Sequence, residues 1–265
     1  MSGFLVELGR CAILVAAYMT AWFVVALIKK DNSVADIAWG LGFVLVTLTT
    51  FPWWAPHFEA IIAAPLVAIW GLRLSLYVFL RNRRRGEDPR YAAWRQKWGR
   101  SFLWRSYLQV FLLQGLLLLI IASPIIIINF HPLDSVISAD GRGGAWFWGV
   151  LVWMAGMFFE AVGDAQLARF KRDPAKKGKI MDRGLWRYTR HPNYFGESLM
   201  WWGIFLIALD VRYGWTTVVS PLLITYLLVK VSGIPLLEKR YAGNAEFQAY
   251  ARRTSAFVPR LPRRT

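Results

Sequence analysis

The sequence has 265 residues, of which 56% are apolar and 15 are tryptophan, and it carries a net charge of +16. Its apolar stretches are long, nearly free of charge and repeated, which excludes an ordinary soluble domain and points to a helical membrane protein. A single cysteine, Cys11, excludes an intrachain disulfide and a cysteine-built metal cage.

A spanning helix needs about 20 mostly apolar residues. Seven segments qualify in chain order: 11–28, 34–51, 60–80, 107–129, 145–167, 194–209 and 214–237. The expected fold is therefore all-α, a polytopic membrane protein of seven transmembrane helices. Of the 32 Lys and Arg, 27 fall in four alternate stretches: Lys29–Lys30, 81–106, 169–190 and the tail from Glu238. The opposite connections carry only Arg142 and Arg212, and the N-terminal arm Arg10. Such alternation predicts the basic side, with the C-terminus, in the cytoplasm and the N-terminus outside. The same distribution matches the cations to anionic headgroups and speaks against a nucleic-acid partner. The first apolar run lacks a basic leader and is followed by Lys-Lys, so it reads as a span rather than a cleavable signal. Pro65 and Pro124 fall inside spans, where each can kink its helix.

Charged groups inside spans should face an interior or sit near an end. Asp36 opens the second span, and Arg73 lies deep in the third, where it either snorkels or pairs with Asp36. Glu160 and Asp164, four apart, share one face of the fifth span, with Gln166 just beyond. Glu197 lies one turn into the sixth. Lys230, in the seventh, can snorkel.

The stretch GLWRYTRHPNYFGE, Gly184 to Glu197, runs straight into that sixth span. Proline is favoured at the first helical position, so Pro192 is expected there with His191 near the cap. The unpaired amides of that turn, with the helix dipole, make an anion site. Arg183, Arg187, Arg190 and His191 stand at its mouth. Asn193 and Glu197 share one face, with Gly196 between them letting a neighbour come close. The stretch reads either as a phosphate or carboxylate pocket at the cytoplasmic mouth of a bundle, or as an interfacial anchor of aromatics and arginines.

This stretch, preceded by FEAVGDAQLARF, resembles the membrane reductases that include the steroid 5-alpha-reductases and their bacterial relatives, most of all the branch named for the 1295 domain of unknown function. RHPNYFGE is also similar to the cofactor motif of the sterol C14 and C7 reductases, and the tail LLEKRYAGNAEFQAYARRTSAFVPRLP to the ending of all these proteins. The resemblance is strong over 145–262 and weaker in the N-terminal third. It implies NADPH as cofactor, held by Asp164, Asn193, Tyr194 and Glu197. More loosely it implies Lys171, Lys179, Leu185, Trp186, Tyr188, Arg190 and His191, with Arg253 or its neighbour Arg252 meeting a phosphate. No G-x-G-x-x-G turn is present to hold a dinucleotide in the Rossmann manner.

The substrate half departs from that family. The Gln-Glu pair that follows a tryptophan in the second span of steroid reductases is absent from Trp39-Gly40-Leu41-Gly42-Phe43, and Trp70 stands where a catalytic tyrosine is found. Asp36, Trp39, Trp70, Arg73 and Tyr77 take their place as candidates for the substrate end.

The expected function is NADPH-dependent reduction of a carbon–carbon double bond in a lipid or steroid-like enone, with Asp36, Arg73 and Glu197 as catalytic candidates and no metal. Residues 1–144 would form the lipid-substrate side and 145–265 the cofactor-binding region. The membrane would be a bacterial-type inner membrane or one of the endoplasmic-reticulum type. Two alternatives remain. One is an S-adenosylmethionine-dependent membrane methyltransferase of the isoprenylcysteine or phospholipid type, in which Glu238 would matter. The other is a non-enzymatic lipid-binding membrane protein.

Overall fold

The computed structural model describes residues 2–83, 86–130 and 144–263. It is 79% helical, with no strand among the described residues. The chain divides into two compact units, one of Met1–Gly143 with Ala208–Thr217, the other of Gly144–Ile207 with Val218–Thr265.

The first unit holds α1 (Ser2–Lys29), α2 (Val34–Thr50), α3 (Phe58–Asn82), α4 (Pro89–Trp98), α5 (Phe102–Ser106), α6 (Leu113–Ile121) and α7 (Ser123–Phe130). A wide π turn, Tyr107–Leu112, joins α5 to α6. Helices α2 and α3 pack backbone to backbone: a Cβ built on Gly71 would lie 2.6 Å from the Gly40 oxygen. One turn away the Ser75 hydroxyl donates to the Ile37 carbonyl at 2.9 Å. Small residues at the contact allow this approach, as is common where lipid supplies no hydrophobic drive between helices.

Two features differ from the sequence reading. The basic stretch 81–106 is largely helical, and it continues into the next span to give one apolar helical run, Pro89–Ile121. The reason is local: Pro89 takes the first helical position and the Asp88 carboxylate accepts from the Arg90 amide at 2.9 Å. Then the expected span 107–129 ends early, because the helix breaks at Ala122, two residues ahead of Pro124, and restarts as α7.

The second unit holds α8 (Ala145–Arg172), α9 (Pro192–Ala208), α10 (Val219–Tyr226), α11 (Ile234–Lys239) and α12 (Ala245–Arg253). Helix α9 opens on Pro192. Gly149, Gly156 and Gly163 recur every seventh residue along α8 and meet α9 running antiparallel. A Cβ on Gly203 would lie 2.6 Å from the Gly149 oxygen, one on Gly156 2.6 Å from the Gly196 oxygen, and one on Gly163 3.0 Å from the Pro192 ring. A seven-residue repeat keeps one seam facing the partner along its whole length.

Among the described residues five helical runs are long and apolar enough to cross a membrane: Val6–Lys29, Phe58–Asn82, Pro89–Ile121, Ala145–Arg172 and Gly214–Lys239. Seven spans were expected, the second and sixth of them the shorter ones at 34–51 and 194–209. The difference lies in α2 and α9, each of 17 residues, about 25 Å at 1.5 Å per residue, against a hydrocarbon core of about 30 Å.

Candidate functional site

The second unit gathers polar groups at the head of α9, and the α8–α9 seam is what brings them together. With Gly163 against Pro192, the neighbouring residue Asp164 reaches Asn193, whose Nδ2 donates to Asp164 Oδ1 at 3.2 Å. Asp164 is 5% exposed and Glu160, one turn before it, 3%. The other amide atom of the asparagine, Oδ1, is buried and accepts no hydrogen bond from a described residue. Leaving such an acceptor unmet costs about 1–3 kcal/mol, so it suits a ligand N–H or O–H.

The segment before α9 is stitched to α8. Gly184 has φ +61°, and a side chain there would strike Gln166. The same Gln166 accepts from the Leu185 amide at 3.0 Å, while the Trp186 indole donates to the Gly163 carbonyl at 3.1 Å. Tyr250 of α12 donates its hydroxyl to the Trp186 carbonyl, and burial pushes that phenol's pKa up. The walls of the site are thus fixed by backbone as well as side chain.

Arg190 is committed inward. Its Nε and Nη2 bond Glu238 at 2.7 and 3.1 Å, and its Nη1 donates to the carbonyls of Thr254 at 2.6 Å and Ala251 at 3.0 Å. His191, 6% exposed, brings Nε2 to Glu238 Oε1 at 3.1 Å and stacks on Tyr194 with the rings 5.5 Å apart and 10° from parallel. Lys171, Lys179, Arg183 and Arg187 are among the exposed cations nearby. Arg253 donates to Asp182. Tyr188 is 38% exposed. Glu197 sits one turn into α9, partly buried.

In the first unit the candidate residues lie on α2 and α3. Trp39, Phe43 and Trp70 form an edge-to-face series with centroids 5.3 and 5.2 Å apart, and Trp70 is 2% exposed. The Arg81 guanidinium lies 6.0 Å from the Tyr77 ring. Arg73 is partly buried. Asp36 meets α4: Arg90 Nη2 lies 3.0 Å from Oδ2, and the Tyr91 hydroxyl donates to Oδ1 at 2.7 Å. Gln114 Nε2 donates in turn to the Tyr91 oxygen at 3.3 Å. Sequence reading offered only Arg73 as a partner for Asp36. The local signal for Arg90 and Tyr91 is the Asp88-Pro89 helix start that carries them, inside the basic stretch 81–106. Glu238 likewise figured only in the methyltransferase alternative, because nothing local ties it to Arg190.

Helical content, the apolar runs and this buried polar cluster define a multi-pass helical membrane protein. The family model described as Protein of unknown function (DUF1295) matches residues 22–254, and the chain belongs to that family. Over 70 residues it is 36% identical to Steroid 5-alpha-reductase DET2 of Arabidopsis thaliana, a match that takes in 24% of this chain and 26% of the plant protein. Over 183 residues it is 30% identical to an uncharacterized protein of Schizosaccharomyces pombe, taking in 58% of this chain and 51% of that one. The chain thus spans about half, or less, of the length of these curated relatives. No solved structure matches it significantly.

Proposed function

We propose that this protein is a membrane-embedded, NADPH-dependent reductase of a carbon–carbon double bond in a lipid or steroid-like enone. The observation that carries the reading is the orphaned Asn193 Oδ1, held beside the buried Asp164 at the head of α9. Its donor-seeking oxygen fits a carboxamide N–H, and the exposed Lys171 and Lys179 fit phosphates. The likeness of part of the chain to a steroid 5-alpha-reductase supports the same chemistry.

Bound NADPH would supply the hydride. The chain's own part is to hold the cofactor and shape the acceptor site. Asn193, Asp164, Tyr194 and Glu197 would bind the nicotinamide-bearing end, with Leu185, Trp186 and Tyr188 walling it. Arg190 and His191 act behind this layer, through Glu238, to fix the start of α9. On the substrate side, Trp39, Trp70 and Tyr77 offer apolar walls for a flat lipid, with Arg73 as the polar group toward its carbonyl. Asp36 is taken by Arg90 and Tyr91, so its proposed role is to hold α4 against α2 rather than to pass a proton. The basic connections and the C-terminus would lie in the cytoplasm and the N-terminus outside.

The test is thermal stabilisation of the purified protein in mild detergent. NADPH at about 100 times its dissociation constant should add about 2.7 kcal/mol by linkage, and S-adenosylmethionine nothing. Stabilisation by S-adenosylmethionine alone would move the same pocket to methyl transfer.

A further inference from the structure

Beyond α12 the chain forms an extended strap whose shape is held by backbone bonds. The Arg190 amide donates to the Ser255 carbonyl at 2.8 Å, the Arg260 amide to the Tyr188 carbonyl at 3.0 Å, and the Arg263 amide to the Arg253 carbonyl at 2.9 Å. The Thr189 hydroxyl donates to the Phe257 carbonyl at 2.7 Å. Pro259 and Pro262 stiffen what lies between. Curling back on the end of α12, the strap encloses a concavity of about 280 Å³ lined by Arg252, Arg253, Thr254, Arg260, Leu261 and Arg263, among others. Arg253 pairs with Asp182, while Arg252, Arg260 and Arg263 make no ion pair with a described residue. Like charges gathered round a hollow repel one another, and an anion in the hollow removes that repulsion. Guanidinium groups grip phosphate oxygens in pairs. On the same strap Val258 and Leu261 are 46% and 82% exposed. Cations beside unsheltered apolar side chains match the boundary between headgroups and acyl chains.

We propose that this hollow binds the phosphodiester headgroup of an anionic lipid, with Arg260 and Arg263 on the phosphate and Leu261 at the acyl boundary, and so docks the C-terminal strap on the membrane surface. The site rests on the membrane reading of the chain, not on the cofactor reading. Because Arg190 bonds the Thr254 carbonyl that edges the hollow, a lipid there also braces the Arg190–Glu238 pair.

The full chain is purified in mild detergent and its melting midpoint followed on adding phosphatidylglycerol, phosphatidylcholine, inorganic phosphate or NADPH, with native mass spectrometry counting retained lipid. Phosphatidylglycerol should raise the midpoint and stay bound, whereas phosphatidylcholine and inorganic phosphate should do neither. The double variant Arg260→Gln/Arg263→Gln should retain phosphatidylglycerol about 30-fold more weakly, at about 1 kcal/mol per cation, with the NADPH response intact. Equal response to the two lipids overturns the proposal, as does a phosphatidylglycerol response that survives the double substitution. A response to inorganic phosphate as large as that to phosphatidylglycerol marks a free-anion site and also overturns it. Loss of the NADPH response in the double variant assigns the hollow to the cofactor's own phosphate instead. Failure of NADPH to act on the unaltered chain sinks the reductase reading and leaves the lipid result standing. Should the double variant fold poorly, the ranking of the two lipids on the unaltered chain decides.

Discussion

Arg190 and Glu238 form a two-pronged ion pair, Nε to Oε1 at 2.7 Å and Nη2 to Oε2 at 3.1 Å, across 48 residues of chain. The pair ties the residue two before α9 to the last full turn of α11, and Glu238 also meets His191 Nε2 at 3.1 Å, a bond to the carboxylate that needs the proton on that nitrogen. The side chains are 11% and 24% exposed, so the pair is partly screened. Glu238→Gln keeps the shape and removes the charge, and should cost about 2 kcal/mol, below the 3–5 kcal/mol of a fully buried pair. Thermal unfolding in detergent reads the loss. A midpoint unchanged in both Glu238→Gln and Glu238→Ala would remove the pair from the account of stability.

Asn193→Ala removes both the bond to Asp164 and the orphaned acceptor. NADPH affinity should fall about tenfold, the equivalent of one hydrogen bond of about 1.4 kcal/mol, while the protein still inserts and purifies. Glu197→Gln should weaken the cofactor too. Dinucleotide titration of the two variants is the check, and unchanged affinity in both would take the cofactor away from the head of α9.

The α8–α9 seam makes a sharp contrast among glycines. A methyl on Gly203 meets the Gly149 oxygen at 2.6 Å and the Trp153 amide nitrogen at 2.8 Å, all backbone, whereas one on Gly9 meets nothing within 4 Å. Gly203→Ala should destabilise by about 1–3 kcal/mol through overpacking. Gly9→Ala, inside α1, should be neutral or stabilise by up to about 1 kcal/mol by relieving backbone entropy. Equal melting midpoints for the two variants would mean the helices part at no cost.

His57, just ahead of α3, is 4% exposed, and its Nε2 has no hydrogen-bond partner among the described residues. Burial holds its pKa below the ordinary value, partly offset by Glu59. A base whose folded pKa is depressed binds its proton first in the unfolded state. Stability should therefore fall as pH drops below about 6.5, the unfolded value. Melting midpoints at descending pH test this. His57→Gln should flatten the acid limb, and an unaltered slope would assign it to other groups.

The orientation follows from where the cations fall. Reporter fusions should show the C-terminus in the cytoplasm and the N-terminus outside. A fusion at the N-terminus active only in the cytoplasm would reverse it.

Local chemistry made much of this protein legible. The opening of α9 on Pro192 could be read because proline at a first helical position is a local preference, and the shared face of Asn193 and Glu197 follows from helical period alone. The same rule marks the start of α4 at Asp88-Pro89, within a stretch whose dominant feature is its charge. Hydropathy marked where helices lie but ran the expected span 107–129 through the break at Ala122, since an apolar window does not say where a helix is cut.

Composition, hydropathy and helix-start residues by themselves determined an all-helical membrane chain with a helix that opens on Pro192, because each depends only on residues within a few turns of one another. Tertiary structure alone decided that Arg90, 54 residues away, answers Asp36, that Glu238 answers Arg190, and that Asn193 keeps one oxygen unmet. Those pairings depend on which helices come within reach, and glycine seams such as Gly156 on Gly196 set that by letting two backbones touch.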